Sequence, residues 1–107
     1  MEVKAIDSAH FSGNIFYINK NNEKIGSYFL QKIGQRNQTK LTETIQYKPY
    51  NLYIAKNNDL YEISFANSLT EYFKLKKEPM KVEPNKLQEI MYYINKAIKN
   101  YETRLNF

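Results

Sequence analysis

Tyrosine and lysine are the residues here with the most to offer a ligand: ten and fourteen respectively in a chain of 107. Aromatic rings stack on bases and ammonium groups neutralise phosphates, so the combination points to binding rather than to bond-making. The means for catalysis are thin. The only histidine, His10, has no cysteine, serine or carboxylate motif around it. Glycine-rich phosphate loops and metal-ligand spacings are absent, and without cysteine there is neither a disulfide nor a thiolate site. No catalytic residue, no metal and no cofactor is therefore expected.

Alternation of side chains along strands is what would gather the tyrosines and lysines. It places Tyr17, Tyr28, Lys32, Gln46, Lys48, Tyr53, Tyr72, Lys74 and Lys76 on one open sheet face, a platform for a single strand. The competing reading is a plain solvated face, because tyrosine is a good strand former with a wet end. A second patch is expected on the polar side of the C-terminal helix, where Tyr92, Lys96 and Lys99 follow one another. A third is the segment from Gly34 to Lys40, which has no hydrophobe and reads as a mobile basic loop. Arg36 within it is one of only two arginines, and its planar fork suits carboxylate or phosphate better than a lysine does. Lys40 closes that loop.

The elements that must position these residues start with the last one. Leu87, Ile90, Met91, Ile94, Ile98, Tyr101 and Leu105 recur at steps of three and four, predicting an amphipathic helix over 85–105. Pro84 precedes it, and Asn85 with Gln88 reads as a capping box. Upstream the pattern reads as strands. Glu2 to Ile6 is an expected edge strand and Asp7 to Ala9 a turn. Ile15 to Ile18 and Ile25 to Ile33 form an expected hairpin. Leu41 to Tyr47 and Leu69 to Leu75 alternate, with Glu71 spoiling the inner set. Phe16 to Glu23 also resembles Leu52 to Asp59, thirty-six residues on, and Phe29 aligns with Phe65; a duplicated hairpin would explain it, and so would chance in a chain of biased composition with a favoured Lys-Asn-Asn turn.

The fold expectation is thus α+β: an antiparallel, hairpin-rich sheet of five or six strands over 1–77, a connector over 78–84, and one helix packed on the sheet. Phe16, Ile18, Ile25, Phe29, Ile33, Leu41, Ile45, Leu52, Ile54, Ile63, Phe65, Phe73 and Leu75 are the expected inner face.

Formal net charge is +5, which permits a polyanionic partner without demanding one. Lysine, asparagine, isoleucine and tyrosine make up nearly half the chain, a bias typical of AT-rich coding. No apolar run is long enough to span a membrane and the N-terminus has no hydrophobic leader pattern, so a cytoplasmic protein without a membrane partner is expected. The functional expectation is a small non-enzymatic binding protein, a monomer or homodimer. Its partner is nucleic acid, single-stranded in form, or a nucleic-acid-handling protein. The alternatives are an inhibitor or adaptor of the kind small phage and mobile-element genes encode, and an enzyme without a recognisable motif.

Overall fold

The computed structural model describes residues 13–18, 24–75 and 78–105. In chain order they form β1 (Ile15–Ile18), α1 (Ile25–Ile33), α2 (Gln35–Ile45), β2 (Asn51–Asn57), β3 (Leu60–Ala66), α3 (Leu69–Phe73), β4 (Met80–Val82), a 3-10 turn (Pro84–Glu89) and α4 (Ile90–Arg104). The sheet has four strands in the order β1-β2-β3-β4. β1 runs parallel to β2, and the other neighbours are antiparallel.

The α+β class and the long C-terminal helix stand; the purely antiparallel sheet of five or six strands does not. Segments 25–33 and 35–45, expected as strands and a basic loop, are helices. Ile25, Phe29 and Ile33 are spaced by four, as are Leu41 and Ile45. That spacing satisfies a strand's period of two and a helix's 3.6 equally. The intervening positions decide: Ser27, Gln31 and Glu43 would have to lie inward in a strand, and all three are polar. As helices, the two segments bury these five residues and half-bury Leu30. Residues 69–73 are likewise a short helix. Ser68 accepts a hydrogen bond from the Glu71 backbone N–H (3.1 Å), and the Glu71 carboxylate accepts from the Asn67 N–H (2.8 Å). Glu71 thus belongs to an N-terminal cap and not to a spoiled strand. The 78–84 connector contains β4.

The apparent repeat is not a duplicated hairpin. β1 leads into a helix whereas β2 leads into a strand, so Phe29 and Phe65 lie in different kinds of element. The C-terminal helix begins with the 3-10 turn, with Pro84 at its first position and no side-chain cap. Proline's fixed φ suits that place, and the expected Asn85 capping box is not used. Expectations for Glu2 to Ile6, Asp7 to Ala9, His10 and Lys76 lie outside the described residues.

One core joins the pieces. Phe29 and Ile33, Leu41 and Ile45, and Leu87, Ile90, Ile94, Ile98 and Tyr101 meet Leu52, Ile54, Tyr61, Ile63, Phe65 and Val82 on one face of the sheet. Of the thirteen residues expected inward, Phe16, Ile18, Phe73 and Leu75 are not buried. The corner between α1 and α2 is closed by side chains. The Asn37 amide donates to the carbonyls of Ile33 (2.8 Å) and Gln88 (3.1 Å), and Gln38 donates to that of Leu30 (2.9 Å). The bond to Ile33 satisfies a carbonyl at the end of α1, and the bond to Gln88 ties the corner to the 3-10 turn.

Candidate nucleic-acid interface

Ile25, Phe29 and Ile33 fix the rotation of α1 by their burial. Tyr28 and Lys32, one turn apart, are then forced to the solvent side. On β2 the same logic runs at period two. Leu52 and Ile54 enter the core, and Lys56, next on that face, emerges at the hairpin end opposite its cross-strand partner Tyr61. The turn that sets this register is Asn58-Asp59, with Asn58 in the left-handed region at φ 59°, a conformation asparagine tolerates.

The result is a convergence of cations on rings. The Lys32 and Lys56 ammonium groups lie 5.2 and 5.8 Å from the centre of the Tyr28 ring, and Lys56 is 5.9 Å from that of Tyr61. Lys24 and Ile25 complete the lining of a cavity of about 210 Å³ with Tyr28, Lys56 and Tyr61. None of these residues is acidic, and α1 has no acidic residue in its first turn. The positive end of the helix dipole therefore adds to the lysines' field. Ammonium groups beside a ring that is half exposed are the pairing that phosphate and base contacts use.

The remaining expected site residues do not share one face. Tyr53 and Tyr72 do meet on the outer side of the sheet, with Phe16 added. Phe16 stacks on Tyr53 at 5.3 Å and 17°, Tyr53 on Tyr72 at 4.8 Å and 24°, and Phe73 stands edge-on to Tyr72 at 5.1 Å. Tyr53 is only 1% exposed. Its two ring faces are already occupied, so it offers no platform to a base. Lys74 follows α3 and is exposed.

Tyr17 points to the helix side, tilted on Phe29 at 6.1 Å, and burial pushes its hydroxyl above the usual tyrosine range. Lys48 forms an ion pair with Glu102 at 3.0 Å, and Tyr50 donates a hydrogen bond to the same carboxylate oxygen. That bond, with Lys48's help, holds the Glu102 carboxyl below its ordinary value. Burial and the carboxylate push Tyr50 up. Lys48 is thereby neutralised and assigned to structure.

Arg36 and Lys40 are exposed on α2, not in a loop. Tyr92 is exposed on α4 with Lys96 6.0 Å from its ring, and Lys99 is exposed further along. Of the residues gathered here, the sequence pointed to Tyr28 and Lys32 and not to Lys24, Lys56 and Tyr61. A readable signal existed. A two-residue turn at Asn58-Asp59 sets Lys56 opposite Tyr61, whereas Lys56 looks like part of the turn in an Asn-rich run.

Among the described residues no group of three His, Asp or Glu side chains could hold a metal ion, and no helix is long and apolar enough to cross a membrane. Comparison with protein-family models, with curated proteins and with solved structures gives no match.

Proposed function

We propose that this protein is a small basic binding module that takes single-stranded nucleic acid at the Tyr28 cluster. The observation that carries the reading is that Lys32 and Lys56 converge on the exposed Tyr28 ring while Lys24 lines the cavity beside it, with no carboxylate in that lining. Like charges gathered on one ring repel one another, and an anionic ligand relieves that repulsion. Stacking and phosphate contacts of this kind are tolerant of sequence, so little base preference is expected. The test is an NMR titration with an unstructured oligonucleotide. Shifts concentrated at Tyr28, Lys32 and Lys56 support the reading. Shifts centred on Phe16 and Phe73, or none, count against it.

A second reading, a protein-binding adaptor, has its own observation. Leu69 and Phe73 on α3 are 50 and 68% exposed, and Phe16, at the other end of the same series of ring contacts as Phe73, is 42% exposed. Exposed apolar groups gathered in this way mark protein contacts more often than nucleic-acid contacts. A partner on that surface would protect Phe73 and leave Tyr28 untouched.

A further inference from the structure

A second cavity, of about 280 Å³, shares no lining residue with the first. It exists because β4 is short. β4 pairs with β3 only from Tyr61 to Ile63, while β3 continues to Ala66. The space beside the uncovered end is closed by the C-terminal half of α4. Phe65, Met80, Ala97 and Tyr101 supply apolar walls. The volume lies just under the usual range for ligand sites, about 300–1,000 Å³, and so suits a molecule no larger than one residue.

The polar lining has an unusual composition. Arg104 lies over the Tyr101 ring at 5.6 Å, which holds its guanidinium beside the cavity. Glu78 and Asn100 also line it. Among the described residues, neither Arg104 nor Glu78 takes part in an ion pair. Arg104 is the second of two arginines in a chain that otherwise uses lysine. Its fork can grip a carboxylate with two parallel hydrogen bonds, which lysine cannot do. A carboxylic acid alone would leave Glu78 facing a like charge, and an amine alone would leave Arg104 unmatched.

We propose that this cavity binds a free α-amino acid with an apolar side chain. Arg104 takes the carboxylate, Glu78 the ammonium group, and the side chain lies against Phe65, Met80, Ala97 and Tyr101. Asn100 adds a neutral donor and acceptor to the lining. The experiment is an NMR titration with leucine, methionine and phenylalanine, each beside its N-acetyl and amide derivatives, read at the Ala97 methyl and the Tyr101 ring. The free amino acids are expected to bind with Kd of about 1 mM or tighter. Capping either end should weaken binding about tenfold or more, as should Arg104→Gln or Glu78→Gln. Both side chains are exposed, so these variants should keep the wild-type melting temperature. No perturbation at about 10 mM amino acid overturns the proposal. So does binding of either capped form as tight as that of the free amino acid, or an Arg104→Gln variant with unchanged affinity.

Discussion

At the scale of single residues, the same side-chain type has different duties according to what surrounds it. Tyr28 and Tyr53 are both tyrosines of a basic chain. One is 48% exposed among lysines and the other is 1% exposed between two rings. Only Tyr28 can offer a face to a base. Tyr28→Ala should leave the melting temperature nearly unchanged, because a surface truncation removes little packing. It should weaken oligonucleotide binding about fivefold to a hundredfold, the range for losing one base–aromatic stack. Tyr28→Phe should bind as wild type, and fluorescence anisotropy separates the two variants.

Lys48 shows the reverse case, a cation spent on structure. Glu102 holds Lys48 and Tyr50 together, and its carboxyl titrates below the ordinary range. The stability linked to this depressed value is present above the ordinary carboxylate pKa and is lost as pH falls through the folded-state value. Glu102→Gln should therefore melt lower than wild type at pH 7, and the gap should close in acid below about pH 4. Melting curves across that window check the sign. A gap that widens in acid contradicts it.

At the scale of elements, legibility depended on how many periods a segment satisfies. The C-terminal helix was readable because its apolar residues recur at steps of three and four, though its α-helical part is Ile90–Arg104 and the expected start at 85 lies in the 3-10 turn. β2 and β3 were readable as apolar strands flanking an Asn-Asn-Asp turn. α1 and α2 were not, since their apolar residues fall every fourth position and both periods accept that spacing. Their polar intermediates carried the answer. Gly34 carried a second clue, since glycine is the residue that can separate two helices at a sharp corner. It stands at φ 86° and ψ 162°, and a Cβ there would meet nothing within 4 Å. Gly34→Ala therefore tests backbone strain without a clash. It should destabilise the fold by about 1–3 kcal/mol, measured as a shift in the urea midpoint without a change in slope. A neutral result would mean the corner can relax. The candidate site was legible in part for the same reason. Lys24, Tyr28 and Lys32 are spaced by four and stay together along a helix whose N-cap is Lys24, whereas Lys56 meets them only through the tertiary packing of α1 against the hairpin.

At the scale of the whole molecule, three helices and a 3-10 turn use one face of a four-stranded sheet for the core, and the short α3 covers part of the other. The open Tyr/Lys sheet expected from alternation is therefore a stacked aromatic ridge. The basic-aromatic character moves to the hairpin end of the helical layer. A net charge of +5 gives a general pull on polyanions, and the specific claim is that three lysines around Tyr28 convert that pull into a site. Each single-strand phosphate contact should contribute about 0.7 to the slope of log K against log salt. The direct measurement is the affinity of a labelled single-stranded oligonucleotide over a salt series, for wild type and for Lys32→Ala with Lys56→Ala. Three contacts at the cluster predict a wild-type slope of magnitude about 2, falling to about 0.7 when the two lysines are removed. A wild-type slope near zero, or a double variant that keeps both slope and affinity, would contradict the account.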